Sequence, residues 1–211
     1  MTSLALGWLV LPVTLPIVPA TRPLLPMAVA QSSADSLAEA DRLLQQGNQQ
    51  LQTSQYRAAI QSYQQALEIY RSSPVRQISP QASRNGEANA LTNLGMAYDS
   101  LSQYQQAIDS YQQALPIFRQ VGDRDGEAIA LMNLGLTYGS LSQPQQAIDY
   151  YQQALPIFRQ VSNRIGEADT LMNLGIAYRL LSQYQQAIDY YQQALPIYRQ
   201  AGDRNSEAKA L

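Results

Sequence analysis

The chain has 211 residues, no cysteine, no histidine and a formal net charge of −2, with only 14% charged residues. Without imidazole or thiol there is no zinc finger, no haem or iron–sulfur ligand set, no disulfide framework, and neither a Ser-His-Asp nor a Cys-His mechanism. A pI near 5.1 argues against a basic nucleic-acid binder, which must neutralise phosphates; polarity comes instead from glutamine, 30 in all.

Residues 4–20 are almost wholly apolar, and Ala28 and Ala30 then supply the small-residue pattern that signal peptidase accepts. The segment 1–30 therefore reads as a signal peptide, with an extracytoplasmic location (periplasmic or secreted) expected. As a membrane span the run is short and carries Pro12, Pro16 and Pro19. No Lys or Arg precedes it, so an uncleaved anchor, or a leader without targeting value on a cytoplasmic protein, stays open. Cleavage after Ala30 would remove Trp8, the only tryptophan, and leave a mature protein without tryptophan emission.

Beyond the leader the sequence copies itself. Leu91-Thr92-Asn93-Leu94-Gly95 returns 40 residues later as Leu131-Met132-Asn133-Leu134-Gly135, and again as Leu171-Met172-Asn173-Leu174-Gly175. Between residues 91–119 and 131–159, 23 of 29 positions are identical, which is the mark of a repeat architecture. A weaker copy occupies residues 34–72, with Gly47 in the place of Gly95. Eight extra residues follow it within 73–83, a stretch with Pro74 and Pro80 that reads as a loop. Three further units are expected at 84–122, 123–162 and 163–202, and the start of an incomplete one at 203–211.

Each unit resolves into two helices. Ala88, Leu91, Leu94, Gly95 and Tyr98 form one apolar stripe at helical spacing. Tyr104, Ala107, Ile108, Tyr111, Ala114, Leu115 and Phe118 form a second. Ser102-Gln103 marks the turn between them, with serine suited to a cap. Gly122 suits a helix C′ position and Asp123 the next N-cap. Pro116, Pro156 and Pro196 fall inside the second helix, where each removes a hydrogen bond and should bend it. Tyr150 and Tyr190, beside the core positions Tyr151 and Tyr191, are expected at the surface.

The set Leu94-Gly95-x-x-Tyr98, Ala107, Tyr111, Ala114, with its copies Gly135, Tyr138, Ala147, Tyr151, Ala154 and Gly175, Tyr178, Ala187, Tyr191, Ala194, resembles the tetratricopeptide repeat. The 40-residue period is similar to that of the long-helix repeats of kinesin light chains and G-protein-signalling modulators. The resemblance implies an all-α, right-handed superhelical solenoid of antiparallel helical hairpins behind the apolar leader. Gln46 and Gln50, in the places of Leu94 and Tyr98, fit a terminal capping unit.

In such a family the first helix of each unit lines a concave groove. The resemblance places Asn93 and Met96, then Met132, Asn133 and Leu136, then Met172, Asn173, Ile176 and Arg179 in that groove. Each carboxamide can both donate to and accept from a peptide backbone, so Asn93, Asn133 and Asn173 could grip an extended partner; bonding to a neighbouring helix or to water is the alternative. The methionines and aliphatic neighbours would supply an adaptable apolar floor. The expected partner is a protein or peptide segment bearing apolar side chains, with no nucleic acid, cofactor or metal. Since Lys209 is the only lysine, a lysine clamp on a terminal carboxylate is not expected. The repeated acids Asp109, Asp149, Asp189 and Glu87, Glu127, Glu167, Glu207 lie a unit apart, too far for paired acid–base chemistry. They read as solvated faces, caps and arginine partners. A run that ends partway into a fifth unit leaves two further readings: self-association through an uncapped end, which sedimentation would reveal, or a recognition segment of a longer effector such as a CHAT-type protease fusion.

Overall fold

A computed structural model describes residues 27–209; all but the last four residues of the leader expected at residues 1–30 lie outside them, and those four, 27–30, form the first turn of a helix. Ten helices follow in order: α1 (Met27–Gln52), α2 (Tyr56–Arg71), α3 (Ser73–Ile78), α4 (Pro80–Ser100), α5 (Tyr104–Val121), α6 (Arg124–Ser140), α7 (Pro144–Gln160), α8 (Arg164–Leu180), α9 (Tyr184–Ala201) and α10 (Arg204–Lys209). Hairpins pair α1 with α2, α4 with α5, α6 with α7 and α8 with α9. Successive first helices approach at the backbone (α4 with α6, α6 with α8), whereas successive second helices stand further apart and meet only through side chains, as Arg71 of α2 meets Gln113 of α5 at 3.2 Å. The stack therefore curves, with its first helices on the inner side. No helix among the described residues is long and apolar enough to cross a membrane.

The segment 73–83, expected as a loop, is helical except at Ser79. Pro74 and Pro80 each stand in the first turn of a helix, where a missing N–H costs nothing. α3 buries Val75 and packs on α1.

Close approach within each hairpin depends on a glycine under an aromatic ring. A methyl group added at Gly95 would lie 2.6 Å from Cε1 of Tyr111, and one at Gly166 would lie 2.5 Å from Cε1 of Phe158. The first contact ties α4 to α5 within a hairpin and the second ties α7 to α8 between hairpins, so the pairing of ring and glycine sets both spacings.

Three of the repeated glutamates, Glu87, Glu127 and Glu167, are buried rather than solvated, and each pairs with two arginines, the partners the sequence suggested. Glu127 accepts from Arg119 Nε at 2.7 Å and also from Arg124, and Glu167 repeats this with Arg159, at 2.8 Å, and Arg164. In each case the first arginine closes one hairpin and the glutamate opens the next, so the pair bolts neighbouring units. Glu87 takes Arg71 and, from the inserted helix α3, Arg76, both at 2.7 Å. The eight-residue insertion thus supplies the second cation that Arg124 and Arg164 supply elsewhere.

Turn chemistry also departs from expectation. Ser102 is not a cap: it adopts φ +57°, as do Ser54, Ser142 and Ser182 at φ +58° or +59°, and Gln103 precedes α5 without a side-chain cap bond. The left-handed residue lets the N–H of Gln103 reach the Tyr98 carbonyl at 2.9 Å. Gly122 is left-handed as expected at φ +77°, and Asp123 accepts from the Gly126 N–H at 2.9 Å. α5, α7 and α9 each run on through their proline. Pro116, Pro156 and Pro196 are all exposed, on the side where water can satisfy the carbonyl left free one turn earlier.

Candidate peptide-binding groove

The inner face is built by the outward-turned stripe of α4, α6 and α8. Met96, Leu136 and Ile176 occupy equivalent places, and each is 39% exposed. Their neighbours on the buried side of the same helices are Leu94, Leu134 and Leu174, all in the core. Folding thus leaves one unbranched or aliphatic side chain per unit uncovered in register.

Two cavities open along this row. One, about 290 Å³, is lined by Met132, Leu136, Asp169, Met172, Asn173, Ile176, Tyr198 and Ser206. The other, about 280 Å³, lies toward the far end of α6 and α8 and includes Leu136, Tyr151, Asn173, Ile176 and Leu180. Five of the nine expected groove residues therefore share one cavity, and Asn173 stands between the two. Arg179 is exposed at the end of α8, and Met96 sits one unit away.

The three asparagines do not form an even ladder. Asn93 Nδ2 donates to Asn48 Oδ1 of α1 at 2.8 Å, and Tyr63 OH donates to the same oxygen at 2.9 Å. Asn133 is buried, at 8% exposure. Asn173 borders both cavities. The sequence register could not show this, because Asn48 is not the repeat equivalent of the other three.

Two acidic groups stand on the same stripe of the first helices. Asp169 accepts from Tyr198 OH at 2.7 Å and gives the larger cavity one charged wall. Burial, and then Asp169 itself, push the Tyr198 hydroxyl pKa far up, so it stays a donor. Asp99, near the junction of α4 and α6, keeps one buried carboxylate oxygen without a partner. Burial raises its pKa, and the neighbouring Thr137 hydroxyl partly offsets that. Its copies, Gly139 and Arg179, hide any repeat signal. Tyr150 and Tyr190, expected at the surface, are half-buried: they stack on Tyr138 and Tyr178 with ring centroids 5.3 Å apart. Among the described residues no cluster of acids could hold a metal ion.

Helical hairpins stacked in one direction, with a ring over a glycine in every unit, define a repeat solenoid. Profiles of the tetratricopeptide repeat match residues 86–160 and 126–200, and another matches 44–122. The chain belongs to the tetratricopeptide repeat family, whose repeats build protein-interaction scaffolds. No curated protein matches it by sequence. Among solved structures it is similar to the apo form of RapI (TM-score 0.75, 18% identity, covering 82% of this chain and 61% of that one). It is also similar to aspartyl phosphate phosphatase F from Bacillus subtilis (TM-score 0.76, 18% identity, 86% and 47% covered) and to MamA (TM-score 0.57, 21% identity, 82% and 89% covered). These likenesses are of fold. The chain spans 61% and 47% of the length of the first two.

Proposed function

We propose that this chain is a protein–protein interaction scaffold whose inner groove takes a peptide or helical segment through apolar side chains. The observation that carries the reading is the uncovered row Met96, Leu136 and Ile176, 39% exposed at each step, with cavities opening beside its last two members. A row of this kind suits a ligand that places apolar side chains at matching intervals, as helix-in-groove recognition does. Asn173, at the boundary of both cavities, is positioned to pair with the ligand's backbone, and Asp169 favours a basic group at one end. Catalysis has no part in the proposal, since the repeated carboxylates of α5, α7 and α9 lie one unit apart.

The test uses peptides selected against the protein from a random library and measured by fluorescence anisotropy. Ile176→Asp is expected to weaken them at least about tenfold, as loss of a central apolar anchor does, with helicity unchanged. Undiminished binding to that variant and to Leu136→Asp would remove the groove from consideration.

A further inference from the structure

The outer face carries a vacancy that the chain itself shows how to fill. Because second helices splay apart, a furrow runs between each successive pair, floored by a first helix. In the furrow beside α8, Tyr190 of α9 stacks flat on Tyr178, with ring centroids 5.3 Å apart and planes 11° apart. Beside α6, Tyr150 does the same on Tyr138 at 5.3 Å and 9°. Beside α4 the equivalent pair is Tyr98 and Ser110. Among the described residues, serine leaves the face of Tyr98 without a ring stacked upon it.

The site shares one positioning bond with its copy beside α8. Gln152 Nε2 holds Tyr178 by donating to its hydroxyl at 3.3 Å, and the equivalent Gln64 holds Tyr98 at 3.2 Å. Tyr98 is thus oriented for a stacking partner that its own unit lacks. The resulting furrow between α2 and α5 has about 420 Å³ of open volume and reaches the floor of α4 at Leu91, Leu94 and Tyr98. The equivalent furrow between α7 and α9 is lined by residues of those two helices alone, because Tyr190 covers the floor. At the rim of the open furrow stand Glu68 and Asp109, both exposed. Among the described residues the one cation lining it, Arg71, is paired with Glu87 at 2.7 Å and donates to Gln113 of α5 at 3.2 Å, bridging one end of the furrow.

We infer that the furrow over Tyr98 is a second docking site, on the face opposite the groove, for an aromatic side chain flanked by a basic residue on a partner polypeptide. The ring replaces the missing tyrosine and stacks on Tyr98; the basic residue meets the acidic rim. Nothing in this inference depends on the inner groove.

The probe is the dipeptide N-acetyl-Tyr-Arg-amide, titrated into the labelled full chain and followed by amide proton–nitrogen correlation spectra. Saturable shifts are expected at Tyr98, Ser110 and Gln113. Ser110→Tyr should abolish them, or weaken the affinity at least tenfold. That variant installs the side chain the chain already accommodates at 150 and 190, so it should fold. Ile176→Asp should leave the shifts intact, which separates this site from the inner one. No saturable shift with Tyr-Arg, equal shifts with N-acetyl-Leu-Arg-amide, or shifts that persist in Ser110→Tyr would each overturn the inference.

Discussion

Ile148 in the third hairpin is 1% exposed, and Ile188, its copy 40 residues on, is 45% exposed. The two sit in nearly the same local sequence, Gln-Gln-Ala-Ile-Asp-Tyr-Tyr, and on the same face of the same kind of helix. What differs is the neighbour. α7 is covered on its outer side by α8, whose Ala168, Leu171 and Met172 share a core cluster with Ile148. On the corresponding side of α9 the described residues provide only α10, from Arg204 to Lys209. The same contrast holds for charge: the Glu127 side chain is 4% exposed and that of Glu207 is 28% exposed. In a solenoid the energy of a residue is set less by its own unit than by the one stacked on it.

The sharpest way to press this comparison is to make the same cut in both units. Ile148→Ala is expected to cost about 3 kcal/mol, the usual range for emptying a buried aliphatic site. Ile188→Ala should cost less than about 1 kcal/mol, because only part of its surface leaves water. Urea denaturation followed by helical circular dichroism measures both. Equal costs would mean that α9 is covered by something the described residues do not supply.

The next largest effect is electrostatic. Glu127→Gln removes the charge that two arginines share and is expected to cost about 2 kcal/mol, the scale of a buried charge-assisted bond. Glu207→Gln breaks a single more exposed pair, to Arg199 at 2.7 Å, and should cost under about 0.5 kcal/mol. Added salt should narrow the second difference more than the first, since exposed pairs are the better screened. A salt response of equal size in the two would overturn the view that burial distinguishes them.

Repetition made the fold legible. The apolar stripes and the Gly122–Asp123 boundary followed from spacing alone, because each unit repeated the same local chemistry. The exposed row Met96, Leu136 and Ile176 follows the same 40-residue register. What escaped was whatever broke the period. Asn93 is held by Asn48, a residue out of register with it. Arg76 comes from the inserted helix, where two prolines read as loop punctuation but serve as helix starts. The exchange of tyrosine for serine at 110 was visible in the rows, yet its meaning required the stacked pairs at 150 and 190 to be seen first. Serines in left-handed turns also escaped, since propensity assigns that conformation to glycine or asparagine.

Those turns supply the smallest contrast between units. Ser162 has φ +59°, whereas the residues in its place in the neighbouring units are Gly122 at φ +77° and Gly202 at φ +72°. A side chain in the left-handed region costs roughly 1–2 kcal/mol, while glycine costs roughly 0.5–1 kcal/mol more entropy on folding. The first effect exceeds the second, so Ser162→Gly should stabilise by about 0.5 kcal/mol. For a chain of this length that corresponds to a rise in Tm of about 1–2 °C. Gly122→Ser should lower Tm by a similar amount, because a Cβ there meets nothing within 4 Å and only the backbone conformation is at stake. If Ser162→Gly lowered Tm instead, the serine hydroxyl would be contributing a bond to the turn that outweighs the strain, and the third boundary would differ in kind from the other two.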